Sequence, residues 1–418
     1  MQLKQTSSVI KVVSPIFLTL LLVSAILTAP AQAQTFTVLH TFRGNDGGYP
    51  MGLPVLDPAG NIYGTASAGG TGKCGKNGCG TAFMLNKTGG LVGVYSFGGA
   101  DGMEPVAGLL RAATGKLYGT TVFGGDKNRS CQPGCGAVFE LSATGKETVL
   151  HKFTGPPDGY FSEALLVEDA EGNLYGTTQE GGAYGSGTVF KIDASGKETI
   201  LYSFSGGMTG CNPYPGVILD SAGNLYGVTS DGGVPGSCNN GLGVVFRLDT
   251  SGNETILHLF GGGDGANPSS VLLFDSEGNL YGTTENGGVG CGTGCGVVFE
   301  LSPAPGGSWS ETVLYDFCSL PNCADGEEPL TGPLVRDASG NLYGTTYFGG
   351  GSDDGIVFKL DTSGNETVLH SFTGGADGAN PWAGLVMDSS GNLYGTTQQG
   401  GATCLPPYTC GVVFKITP

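Results

Sequence analysis

The sequence predicts an all-β fold, a seven-bladed β-propeller of four-stranded blades. Three observations point to it. A run of the form Gly-Asn-Leu-Tyr-Gly-Thr occurs seven times, with central tyrosines at Tyr63, Tyr118, Tyr175, Tyr226, Tyr281, Tyr343 and Tyr394, spaced 51–62 residues apart. Each period holds four short runs rich in Val, Leu, Tyr, Phe and Thr, bounded by Gly, Asp, Asn, Ser or Pro, which is the pattern of strands joined by hairpins. The repeat frame is offset by one strand at both ends, so the N-terminal strand is expected to complete the last blade. A parallel β-helix has shorter coils, and a β-sandwich gives no reason for a sevenfold repeat.

Residues 1–33 read as a secretory signal peptide. Lys4 and Lys11 make a positive start without acidic residues, Val12 to Leu27 is mainly apolar, and Ala31-Gln32-Ala33 is a small-residue cleavage site. Residues 34–418 then form the propeller domain. Gln34 rather than Cys follows the cut, which argues against a lipoprotein anchor, and no later run approaches the ~18 apolar residues that span a bilayer. Gly is 79 of 418 residues and charged residues are 13%, a balance that suits turn-rich β structure. The net charge is −18, and loss of Lys4 and Lys11 takes it to −20. Such a field repels phosphate backbones and anionic lipid, so nucleic acid is disfavoured as a partner, no membrane span is expected after signal cleavage, and cations or neutral ligands are favoured.

The strands follow in order. Thr35 to Phe42 opens the mature chain and resembles Glu366 to Phe372. On the offset frame this Val-Leu-His type run is strand D at the rim. Ala383 to Met387 typifies the inner strand A, Asn392 to Thr397 strand B, and Gly411 to Ile416 strand C. The A–B and C–D turns are short. The D–A and B–C loops are long and share the opposite face.

The repeat, in its Gly-Asn-Leu-Tyr-Gly-Thr-Thr, Gly-Gly, Gly-Val-Val-Phe-Lys-Leu-Asp and Asp-Gly-x-x-Pro elements, resembles the GloVer-type (Gloeo/Verruco) tandem repeat of exported bacterial proteins, over residues 35–418. The resemblance implies location and shape; that family carries no established activity to transfer. Its members are associated with varied C-terminal anchors, which this chain lacks. A looser similarity, through the D-x-x-G-N turn, links the blades to propeller lyases and lactonases.

Twelve cysteines are expected to be disulfide-bonded, as five local pairs, Cys74/Cys79, Cys131/Cys135, Cys291/Cys295, Cys318/Cys323 and Cys404/Cys410, and one longer pair, Cys211/Cys238. Two adjacent pairs around zinc are the alternative. All fall in the long loops, and four pairs end one residue before strand C.

The D–A loop carries Asp-Gly in six units, at Asp46, Asp101, Asp158, Asp264, Asp325 and Asp377. The ordinary reading is a turn whose Asp bonds nearby amides. The sharper one is an acidic ring at the channel mouth that binds a ligand or Ca²⁺, although calcium wants about six to eight oxygens at one point. Trp382, just before strand A, is the leading aromatic contact. His40, His151, His258 and His370 share one strand-D position with Tyr95, Tyr202 and Tyr315, which reads as rim packing. No nucleophile elbow, metalloprotease helix or phosphate loop is visible, and no catalytic or metal-ligating residue is assigned.

The reading that follows is an exported, non-catalytic, monomeric propeller that binds a glycan or surface protein through its loop-rich face. An extracellular lyase, lactonase or glycan-cleaving enzyme with a site at the channel mouth, and a purely structural envelope protein, are the alternatives. The short-turn face is expected to offer little concave surface.

Overall fold

Each strand B carries a glycine opposite a phenylalanine of strand C, and this pair fixes the blade. Gly64 faces Phe83, and the same register sets Gly119 against Phe139, Gly176 against Phe190, Gly227 against Phe246, Gly282 against Phe299, Gly344 against Phe358 and Gly395 against Phe414. A Cβ at any of these glycines would stand 2.5–2.7 Å from the ring tip. The hydrogen side chain is therefore a socket for the ring.

A second phenylalanine, at the end of each strand D, meets the strand-C ring of the next blade. The seven pairs, from Phe42–Phe83 round to Phe372–Phe414, have centroids 5.0–5.3 Å apart and edge-to-face planes. Edge-to-face contact suits the ring quadrupoles and adds ~0.5–1.5 kcal/mol per pair beyond burial. Fourteen of the 20 phenylalanines thus form one aromatic girdle.

The computed structural model describes Met1 and residues 34–127, 131–142, 144–236, 238, 241–290, 294–405 and 408–418, with the side chains of 403–409 excepted. The expected leader, 1–33, lies outside the described residues apart from Met1. Gln34–Pro418 is one unit of seven four-stranded antiparallel blades. The first has strands Val55–Leu56, Ile62–Ala66, Thr81–Leu85 and Leu91–Ser96 as A to D. The seventh has Val386–Met387, Leu393–Thr397 and Val412–Thr417, and its strand D is Thr35–Thr41 from the other end of the chain. That strand runs antiparallel from Thr35↔Thr417 to Thr41↔Val412. The expected closure is borne out. No helix among the described residues is long and apolar enough to cross a membrane.

Strand A is shorter than the sequence suggests. The expectation was Ala383 to Met387, but only Val386–Met387 pairs with strand B. The inner end is engaged by the neighbouring blade instead. Thr65, Thr120, Thr345 and Thr396 of strand B donate to the carbonyls of Ala107, Ala164, Ala383 and Gly52 in the next blade, at 2.7–3.3 Å. These bonds tie the inner ends of four A segments to the blade before.

The A–B turn explains the Asp-x-x-Gly-Asn-x-Tyr pattern. Asp388 accepts from the Asn392 amide and side chain, and from the Tyr394 hydroxyl. The turns at Asp57, Asp169, Asp220, Asp275 and Asp337 repeat this. The second blade has Ala112 and Lys116 there, and Lys116 pairs with Glu140 at 2.9 Å instead.

Candidate functional site

Each of the seven D–A loops places a residue at one equivalent position in the left-handed backbone region, where side chains are disfavoured; the loop before blade 6 adds Cys318, Asn322 and Cys323. The equivalent residues are Tyr49, Glu104, Phe161, Asn212, Asn267, Glu328 and Asn380, all with φ between 54° and 59°. Such residues cost of order 1–3 kcal/mol unless the surroundings over-determine them, and they cluster at functional sites. Here the surroundings do so. Each amide donates across the seam to the carbonyl of the residue just before the strand-C glycine of the preceding blade, at 2.7–3.2 Å. Four of those carbonyls belong to cysteines, Cys79, Cys135, Cys295 and Cys410.

The disulfides therefore hold the ring as well as their own loops. Cys74–Cys79, Cys131–Cys135, Cys211–Cys238 and Cys318–Cys323 are bonded as expected. Cys295 and Cys410 are also disulfide-bonded. Cys291, and the side chain of Cys404, lie outside the described residues.

Two residues further on, the chain reaches the axis. Met51, Val106, Glu163, Tyr214 and Trp382 line a small axial cavity to which all seven blades contribute, closed below by Leu53, Leu165, Val271 and Ala383. Its free volume of about 30 Å³ holds little more than a water molecule. A sugar-sized ligand would therefore sit over this cavity rather than inside it.

The mouth is aromatic and acidic. Trp382 meets Tyr347 edge-on at 5.6 Å, and the Trp382 indole nitrogen is buried without a hydrogen-bond partner. The Tyr347 hydroxyl donates to Gln398 at 2.7 Å. Burial pushes the Glu163 carboxyl up, and the Glu104 charge adds to this while the Tyr214 hydroxyl opposes it. Burial also raises Glu104, Glu285 and Glu328, the last with help from Glu285, Glu327 and Asp353. No histidine belongs to this group, since all four lie in strand D.

Of the residues expected to bind a ligand, Trp382 is at the mouth. The Asp-Gly aspartates turn the other way, to the rim. Asp46 bonds His40 at 2.9 Å, Asp264 bonds His258 at 2.9 Å and Asp377 bonds His370 at 3.2 Å. Asp101 accepts from Tyr95, and the fully buried Asp325 accepts from Tyr315, Ser319 and the Leu320 amide. Asp158 lies 3.4 Å from His151. The strand-D His or Tyr position is thus the anchor for the Asp-Gly turn. The two sets of expected contacts, Trp382 and the aspartates, are not brought together.

Sequence reasoning missed a third member of these rim groups. In the next strand D, the residue paired with the last leucine or isoleucine of strand C is Glu147, Glu198, Glu254, Glu311 or Glu366 at five seams, and Phe36 or Leu91 at the other two. All five glutamates carry one carboxylate oxygen that is buried without a hydrogen-bond partner. Burial pushes Glu198, Glu254, Glu311 and Glu366 up to about 7.

The opposite face is less flat than expected. Phe274, Val335, Val386 and Met387 border an open depression of about 580 Å³ beside the A–B turns of blades 5 and 6. Arg336, one of two arginines in strand A, lies over the Tyr281 ring at 5.8 Å rather than in the axial cavity.

A family profile described as the Gloeobacter/Verrucomicrobia repeat matches residues 25–238 and 199–404. No curated protein matches the chain. Among solved structures, a fungal alcohol oxidase in complex with copper aligns with 92% of this chain and 76% of its own, at 14% identity and a TM-score of 0.56. The extracellular domain of a one component system from B. thetaiotaomicron aligns with 92% of this chain and 42% of its own, at 15% identity and a TM-score of 0.55. A gluconolactonase from Xanthomonas campestris aligns with 73% of this chain and 82% of its own, at 16% identity and a TM-score of 0.44. At these identities the similarity is one of fold, and propellers host many unrelated functions.

Proposed function

The chain belongs to the Gloeobacter/Verrucomicrobia repeat family, and on that premise we propose that it is an exported, non-catalytic binding propeller whose ligand, a glycan, docks on the loop-rich mouth. The observation that carries this reading is the ring of seven left-handed residues. The backbone there repeats sevenfold while the side chains are Tyr, Glu, Phe, Asn, Asn, Glu and Asn. A uniform, costly backbone that presents varied side chains is what selective recognition needs, because identical blades would offer identical weak contacts. Flat aromatic faces at Tyr214, Tyr347 and Trp382 suit sugar rings, and the carboxylates beside them accept from hydroxyls. Disulfides stiffen the loops, so less entropy is lost on binding. Disulfides and the apolar, cleavable leader favour export.

Binding rather than catalysis is favoured by the position of the imidazoles, which all lie in strand D at the rim and away from the mouth. The pair Glu104 and Glu163, each raised by burial, keeps a glycan-cleaving reading open as the alternative.

A glycan array probed with the purified protein tests the proposal. At least one glycan should bind, and Trp382→Ala should weaken it tenfold or more without lowering the melting temperature much. Phe274→Ala, on the opposite face, should leave binding unchanged. The reverse pattern would place recognition on the other side. Release of new reducing ends from a bound glycan, abolished by Glu163→Gln, would select the enzyme reading.

A further inference from the structure

We propose that the seam between the second and third blades is a divalent transition-metal site, with His151 Nε2 and the carboxylates of Asp158 and Glu198 as its three protein ligands. Zinc is the cation this donor set fits. One imidazole and two carboxylates are borderline ligands that suit zinc, whereas calcium takes oxygen alone.

The three side chains come from three elements. His151 is on strand D of blade 2 (Glu147–Lys152), Asp158 follows in the D–A loop, and Glu198 begins strand D of blade 3 (Glu198–Ser203). His151 Nε2 lies 3.4 Å from Asp158 Oδ2 and 3.6 Å from Glu198 Oε2. Both separations are long for charge-assisted hydrogen bonds, which fall at about 2.7–2.9 Å. They match ligand–ligand edges of about 3.3–3.5 Å around a tetrahedral zinc with bonds of ~2.0–2.1 Å. One atom from each of the three residues fits inside a 4.8 Å span.

A second observation points to a missing partner. His151 Nε2 is buried and makes no hydrogen bond, unlike the ring nitrogens of His40, His258 and His370. A buried polar atom without a partner costs about 1–3 kcal/mol, and a cation at the centre of the triad would satisfy the ring nitrogen. Outer contacts already orient one ligand. The Thr154 amide and hydroxyl donate to Asp158 Oδ2 at 2.8 and 3.0 Å. The side chains keep 13–19% of their surface, which leaves an entry path and a fourth position for water.

Other seams act as internal controls. Tyr202 and Tyr315 replace the imidazole, and their hydroxyls are satisfied by Glu254 and Asp325 at 2.8 Å. His258, Asp264 and Glu311 repeat the triad between blades 4 and 5, but His258 Nε2 is already bonded to Asp264 at 2.9 Å. A metal there must first break that bond, so it is the weaker site.

The full chain, stripped with chelator and kept oxidised, should be titrated with zinc alone by calorimetry and by metal analysis after dialysis. About one equivalent is expected to bind tightly, with release of protons and a rise in melting temperature. Cobalt should give the visible band of four-coordinate nitrogen and oxygen ligation. His151→Tyr installs the residue that three other seams use and so should fold; it should weaken zinc at least tenfold and remove the band. His258→Tyr should leave the tight equivalent in place. If His151→Tyr does not fold, the near-isosteric Glu198→Gln decides by the same readouts. No zinc retained by the unaltered protein, or equal affinity in His151→Tyr and Glu198→Gln, would overturn the proposal.

Discussion

Glu328 occupies, at φ 54°, a backbone region that Asn212, Asn267 and Asn380 fill in other blades. Asparagine tolerates that region and glutamate does not, a difference of about 1 kcal/mol. Glu328→Asn should therefore raise stability by roughly that amount in chemical denaturation; a loss would mean that the glutamate makes contacts which offset its strain. Gly282 makes the opposite case. A Cβ there would stand 2.6 Å from the Phe299 ring, so Gly282→Ala should cost about 1–3 kcal/mol by overpacking. Glu254 gives a pH signature. Burial raises its carboxyl from 4.5 to about 7, against the Tyr202 hydrogen bond. The folded state then binds the proton more tightly than the unfolded one. Stability from this group is intact below 4.5 and is lost as pH rises through about 7. Glu254→Gln, permanently neutral, should leave the melting temperature nearly unchanged near pH ~5 and raise it near pH ~8. The two strands that make the Gly–Phe socket were legible because their runs recur in all seven repeats, but the register that sets glycine against ring was not. The left-handed ring was not, because Tyr, Glu, Phe and Asn share no type; the proline that often follows was the only trace. The seam glutamates were hidden for another reason. A Glu at the start of an edge strand looks like a solvated charge, and only the ring geometry buries it against the neighbouring blade.

At the scale of strands and loops, the four-run reading of each repeat held because hairpin turns and β-branched runs are local signals. Strand A fell short of its predicted length in every blade, with only two or three residues on the ladder, because the apolar run that marks it reports burial near the axis and not pairing. A threonine hydroxyl on strand B that bonds across the seam is not essential: Val228 stands at that position in blade 4, and Thr177 and Thr283 leave their hydroxyls without a partner. Thr396→Val should cost about 1 kcal/mol, the net worth of one buried hydrogen bond, measured by urea unfolding. The long loops carry the other element-scale feature. Cys211–Cys238 closes the longest of the four bonded loops, a separation of 27 residues. Chain-entropy arguments give ~3–4 kcal/mol for a loop of that size. Cys211→Ser together with Cys238→Ser should lower the unfolding midpoint accordingly, and a double variant that unfolds like the parent would show that the loop needs no staple.

For the whole molecule, seven aromatic seams and four threonine bonds join blades to their neighbours, so no blade is an independent unit. The last seam depends on Thr35–Thr41. Its Phe36 ring stacks on His370 at 3.7 Å, and Phe42 is fully buried against Phe83. The strand that the chain delivers first must therefore wait, unpaired, until Val412–Thr417 has been made. The ring is thus clasped by two segments far apart along the chain, a pairing that carries a large loop-closure cost and is slow to form. The clasp makes closure a separate, late event, in which the first and seventh blades gain their shared seam together.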